Sequence, residues 1–182
     1  LVYIPATFDM LGTLAEQGEH PVRSAVGFAL TPAVREFYTG GDEEELAYTA
    51  FLDSARASLR LLSAGGEERF PHRRVVISAE IDDSAVSLAP ADGESVVRLD
   101  PAVVKVQQLL AIHVDDADAE AATAKAIECI DAADLGDEDA EFALGDCEDN
   151  LMSWYDAKEL PFLVDLMLSL IHISEPTRRT PI

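Results

Sequence analysis

Cysteine is scarce in this chain. Two occur in 182 residues, Cys129 and Cys147. They share no CxxC spacing and have no histidine close by in sequence, which argues against a zinc site and for two reduced thiols. Lysine is nearly as rare, with three against ten arginines. Long apolar runs are missing as well. No window reaches the roughly 18 uncharged apolar residues that a membrane-spanning helix needs; the nearest, residues 160–173, contains Asp165. Residues 2–6 lack a basic n-region and are too short for a secretory h-region, so no leader is expected and a cytoplasmic location follows. Sequence signatures of chemistry are also lacking: there is no GxGxxG, Walker loop, GxSxG or HExxH. Gly40-Gly41 and Gly65-Gly66 are isolated pairs at helix ends rather than phosphate loops. Residues distant in sequence converge in folds, so missing motifs alone do not decide against an enzyme.

Acid is abundant. The formal net charge is -22, from 35 acids against 13 bases, with a pI near 4.2. Residues 115–149 hold 14 of the acids and one base, Lys125. Nucleic-acid backbones and anionic membranes repel such a surface, so neither is an expected partner. A solvated face accounts for the acids; a docking face for a basic protein partner is the more specific reading. Hydrophobic residues make up 48% of the chain, enough for a core and too many for wholesale disorder.

The patterning predicts the elements. Residues 2–6 read as a strand. Thr7 caps a helix over residues 8–17, which Gly18 ends. A second strand is expected over 24–30, and Thr31-Pro32 opens a short helix broken at Gly40-Gly41. Asp42-x-x-Glu45 is a capping box, and the helix that follows should run to Ser63. Tyr48, Phe51, Leu52, Ala55, Leu59 and Leu62 form its apolar stripe, with glycine as its stop at Gly65-Gly66. Residues 73–81 alternate as a half-buried strand. Residues 85–89 and 95–99 flank Pro90-Ala91-Asp92-Gly93 as a hairpin. Residues 109–114 read as a buried strand. Helices are expected from Asp116 or Asp118 to Ile130 and over 137–147. Residues 151–155 fit strand or helix. Asp156-x-x-Glu159 is a second capping box, and Pro161 just beyond it implies a turn followed by a final helix. Helices alternating with early strands, then clustered strands, predict a single α+β domain: a mixed β-sheet with packed helices.

Several stretches carry a family resemblance together: VYIPAT, ALTPAVREFYTGGDEEELAYTA, SARASLRLL, RRVVISAEI, AIHVDDADAE and LMSWYDAKEL. They resemble an uncharacterised protein family of high-GC Gram-positive bacteria, a domain of unknown function. The resemblance implies a small cytoplasmic protein and supplies no activity, ligand or catalytic residue. A second resemblance concerns the tail. LSLIHISEPTR, at the start of residues 168–182, resembles the in-frame translation of a sequencing adapter, which makes residues 1–167 the expected domain and the rest a non-native addition.

A few constellations merit chemical reading. His113 and Asp115 fall on one side of a strand end, with Asp116 next to them, a spacing that suits a divalent metal; a strand-end histidine followed by helix-capping acids explains the same residues. Asp134, Asp137, Glu138 and Asp139 do not fit the EF-hand pattern, because Gly136 stands two residues after Asp134. Arg73-Arg74 beside His72 offers a basic spot for phosphate, or a balance to neighbouring acids at a sheet edge. Arg35, Glu36, Tyr38 and Tyr48 surround the Gly40-Gly41 break and either line a pocket or form a helix corner. Trp154-Tyr155 either anchors a partner or closes the core.

Two functions follow. The first is a non-catalytic interaction or regulatory domain with an acidic surface, taking a basic protein partner, with Trp154 and Tyr155 as contact residues and no cofactor. The alternative is a small metal-dependent enzyme using His113, Asp115 and Asp116.

Overall fold

A computed structural model describes residues 1–65 and 70–174 of this chain. It is α+β. Seven strands form one sheet: β1 (Val2–Ala6), β3 (Val26–Phe28), β4 (Val75–Ala79), β5 (Val86–Leu88), β6 (Val96–Leu99), β8 (Leu109–Asp115) and β9 (Met152–Asp156). Their order is β5-β6-β3-β1-β4-β8-β9. Every pairing is antiparallel, where the sequence predicts a mixed sheet. The segment between β3 and β4 crosses over β1, which lies between them and pairs antiparallel with both. Two short strands that the patterning does not reveal, β2 (Glu19–Pro21) and β7 (Val103–Lys105), pair separately.

Alternation splits the sheet into two faces. Ile4, Ile77, Ile112 and Val114 point one way, into the main core with α1 (Phe8–Gln17) and α6 (Leu160–Ser174). Thr7 caps α1 by accepting from Met10 N–H, and Gly18 ends it at φ 78°, as the sequence predicts. Tyr3, Phe28, Val76 and Val96 point the other way, towards α3 (Glu43–Ser63). Beyond α3 lie α4 (Glu120–Asp134) and α5 (Glu138–Glu148), which pack Ala126, Ile130 and Leu144 on Leu59. β4 is therefore buried on both faces, not half-buried as its alternation suggests.

The capping box of α3 is present, with both the Asp42 and Glu45 side chains bonded to backbone N–H groups. Its stripe is rotated from the predicted one. Leu46, Ala50, Phe51, Ser54, Ala55, Ser58 and Leu59 are buried, whereas Tyr48 is 47% exposed and Leu52 and Leu62 are half-buried. Small residues let the helix approach the sheet, and a hydrophobicity scan ranks serine and alanine too low to see this. Ser58 shows what the approach accomplishes. Its hydroxyl donates to Ala6 C=O at 2.8 Å and accepts Val75 N–H at 3.1 Å, tying α3 to β1 and β4. Of the predicted Gly65-Gly66 stop, Gly65 has φ 87° and Gly66 lies outside the described residues.

The short helix α2 (Pro32–Phe37) starts at its predicted cap, Thr31. β3 is shorter than the expected 24–30, because Ser24 and Ala25 each take φ 58° and break the extended run. The ambiguous segment 151–155 is strand β9. Pro161 falls in the first turn of α6, where its missing N–H costs no helix bond. α6 runs on to Ser174, so the first residues of the adapter-like tail prolong it, and Leu170 and Ile171 pack partly on the main core. Residues 175–182, which the sequence leaves exposed and without core contacts, lie outside the described residues.

Candidate functional site

α3 covers the sheet only as far as β4, and an open cleft of about 890 Å³ remains over β8 and β9. The capped N-terminal half of α3 forms one wall, with Glu43, Glu44, Ala47, Tyr48 and Phe51; Leu30 and Arg35, from the loop before α2 and from α2 itself, extend it. Tyr3, Ser78, Ala111 and His113 form the floor, and Met152 and Trp154 the far side. Aromatic rings run from the wall to the floor. Tyr48 stacks on Phe51 at 5.6 Å, Tyr3 meets the same Phe51 edge-on at 5.7 Å, and Phe51 meets His113 edge-on at 4.8 Å. Burial pushes the Tyr3 phenol up from its ordinary value.

His113 is the polar centre of the floor. Val76 is its partner across the β4–β8 ladder, and Ser78 lies diagonally along β4 on the same face. His113 Nε2 and Ser78 Oγ are 3.0 Å apart. Burial among Phe51 and the sheet lowers the His113 pKa to about 4, so the imidazole is neutral at physiological pH. A neutral imidazole and a hydroxyl offer one donor and one acceptor to a bound group. At the rim, Arg35 pairs with Glu43 at 2.6 Å, and Glu44 stands beside that pair.

The three residues of the metal reading have separate engagements. Asp115 is 1% exposed and accepts from Arg74 Nη2 at 2.7 Å, Arg74 Nε at 2.9 Å, Arg74 N–H at 2.8 Å and Thr123 Oγ1 at 3.0 Å. Its lone pairs are spent. Asp116, exposed, accepts from the Ser153 hydroxyl. His113 turns to Ser78. Among the described residues no three His, Cys, Asp or Glu side chains are placed to hold a metal ion.

Arg74 is the counterpart of that finding. It is 1% exposed, immediately before the central strand β4 and not at a sheet edge, and also donates to Asn150 C=O at 3.0 Å. Burial works to lower its pKa, but the Asp115 carboxylate overcomes this and holds the guanidinium above its ordinary value. The network fastens β4, β8, α4 and the turn before β9, so it supports the cleft without reaching it. Its neighbour Arg73 pairs with Glu120 at 2.7 Å. Cys147 lies beside the network, its thiol pKa pushed up by burial, and neither cysteine is in a disulfide.

Trp154 and Tyr155 part company, because successive strand residues face opposite ways. Trp154 is 60% exposed at the cleft, while Tyr155 packs half-buried on the main core. Of the residues around Gly40-Gly41, Arg35 and Tyr48 line the cleft; Tyr38 instead meets Phe37 edge-on at 5.0 Å. Tyr3, Phe51, Ser78 and Met152 are cleft residues that sequence reasoning misses. Their juxtaposition depends on strand order, and no local pattern encodes it.

No curated protein and no solved structure matches the chain. A family model does: the chain belongs to the Family of unknown function (DUF6912), matched over residues 1–164.

Proposed function

We propose that this member of a family without an assigned activity is a non-catalytic binding module, of the interaction or regulatory kind, and that the cleft over β8 and β9 is its seat. The observation that carries this reading is the aromatic cleft with a single polar pair, His113 and Ser78, on its floor. Binding sites are typically concave and apolar with few convergent polar groups. The cleft would take an aromatic or aliphatic group bearing one donor and one acceptor.

The Ser78–His113 pair invites a catalytic reading, which three points oppose. An imidazole lowered to about 4 is a weak base at neutral pH. Among the described residues no carboxylate is bonded to its other nitrogen to orient it. Ser78 also sits within the antiparallel sheet, paired with Tyr3 and Ala111 just before a register shift at Ala79, where backbone N–H groups serve the sheet rather than an oxyanion.

Benzamide is a suitable probe, since its ring suits the wall and its amide the polar pair. In two-dimensional NMR it should perturb Tyr3, Tyr48, His113 and the Trp154 indole signal with a Kd in the millimolar range, typical of so small a ligand. Tyr48→Ala should weaken it. Perturbation elsewhere, or none, refutes the cleft as the seat. Hydrolysis of p-nitrophenyl acetate that is lost in Ser78→Ala would instead establish an enzyme.

A further inference from the structure

The cleft opens onto the free edge of the sheet. β9 ends the strand order, and no strand pairs with its outer side among the described residues. The direction of its backbone groups follows from the ladder. Asp115 N–H donates to Arg74 C=O, on the β4 side. Antiparallel alternation therefore turns Val114 and Ile112 towards β9, where they meet Ser153 and Tyr155. Met152 and Trp154 are the alternate residues, and their N–H and C=O groups point outward. Those same two residues present their side chains to the cleft. Backbone donors and acceptors thus lie alongside an apolar seat. The opposite edge, β5, has only three residues, too short to template much pairing.

Charge selects the occupant. Exposed Asp116 adjoins Ser153, exposed Asp149 precedes the strand, Asp156 closes it, and Glu43 and Glu44 stand across the cleft. Among the described cations, Arg35 at the cleft is committed to Glu43, and exposed Lys158 follows β9 by two residues. A second copy of this chain would bring another net charge of -22 to the same edge, so like-charge repulsion disfavours self-pairing.

We infer that β9 accepts an extended, positively charged segment of a partner polypeptide as an added strand, with an apolar side chain of that segment in the cleft. The inference rests on the cleft being a binding seat and adds the class of partner and its mode of attachment. Strand addition draws affinity from main-chain bonds and specificity from pockets for alternate side chains.

The test uses the full chain and a synthetic heptapeptide, acetyl-Lys-Val-Lys-Leu-Lys-Val-Lys-amide. Calorimetry and the emission of Trp154, the single tryptophan, follow binding. Two further versions carry backbone N-methyl groups at alternate positions, and another replaces lysine by glutamate. The lysine peptide should bind in the micromolar range at low salt. At least one N-methylated version should bind tenfold or more weakly, and the glutamate peptide should not bind. Met152→Pro removes one outward N–H without touching the β8 ladder, since an edge strand tolerates proline there. It should weaken the lysine peptide tenfold while keeping its NMR fingerprint. Equal binding of the parent and both methylated peptides would overturn strand addition. Binding of the glutamate peptide, or a dimer in sedimentation that Met152→Pro abolishes, would overturn the choice of partner. Failure of the peptide with benzamide still bound sinks this inference alone; failure of both removes the cleft reading with it.

Discussion

Arg74 and Asp115 are the residues on which the centre of the molecule depends. A buried pair of this kind gains little over an apolar substitute, but breaking it strands a charge, at a cost of about 3–5 kcal/mol. Asp115→Ala should therefore lower stability in urea by that amount, whereas Arg60→Ala, which removes a largely exposed pair to Asp134, should cost at most about 1 kcal/mol. Equal losses in the two variants would contradict the buried network. His113 supplies a pH signature. Its folded pKa of about 4 lies below the ordinary 6.5, so the unfolded chain binds the extra proton first. Stability from this residue is complete above pH 6.5 and falls as pH drops towards 4, by roughly 1–2 kcal/mol after allowance for partial exposure. His113→Gln should flatten that component of the curve, and unchanged curves would mean the imidazole is not buried as described. Neither role is visible in sequence. Arginine and aspartate are surface residues by habit, so Arg74 and Asp115 read as solvent-facing or metal-binding until the strand pairing sets them opposite each other. Trp154, read as either anchor or core, needs its neighbour Tyr155 on the buried face before its exposure becomes intelligible.

At the level of elements, local signals with a backbone mechanism prove the most legible. Thr7, Thr31 and Asp42 each cap a helix as their position predicts, with the side chain accepting an N–H near the helix start, whereas neither Asp116 nor Asp118 makes the cap bond expected for the helix that follows β8. Asp42→Ala should remove one such bond and its capping box, and lower stability by about 1 kcal/mol in thermal or urea unfolding. A change within error would show that the 21-residue helix draws on packing alone. The cleft gives this helix a second duty: its first three turns hold Glu43, Glu44, Tyr48 and Phe51 against the seat. Fraying them through Asp42→Ala should weaken benzamide as well as stability. What stays hidden at this scale is short or tertiary. β2 and β7 have three residues each, and β2 ends in proline. The rotation of the α3 stripe depends on Ser54 and Ser58 facing a sheet that periodicity does not know is there.

For the whole molecule, the order of predicted elements foretells an α+β class but not the strand order, because pairing between distant segments leaves no local trace. The antiparallel order is what leaves β9 at an edge and the cleft beside it. Charge is the global property that the sequence states outright. At a net -22, the folded chain concentrates repulsion that the unfolded chain relieves by expanding. Ion pairs oppose this trend only weakly, since the described exposed pairs, such as Arg35 with Glu43 and Arg98 with Asp92, are each worth about 0–1 kcal/mol. Raising sodium chloride from about 0.01 M to 1 M shortens the Debye length from about 30 Å to about 3 Å. Both attraction and repulsion are screened, and repulsion dominates here. The melting temperature should therefore rise with salt by several degrees, with about 2–4 °C corresponding to each kcal/mol in a chain of this size. The same addition should weaken the lysine peptide. A melting temperature that falls with salt would mean that specific ion pairs outweigh the net charge, and the acidic surface would then have to be read as a structural network and not as a field that selects cationic partners.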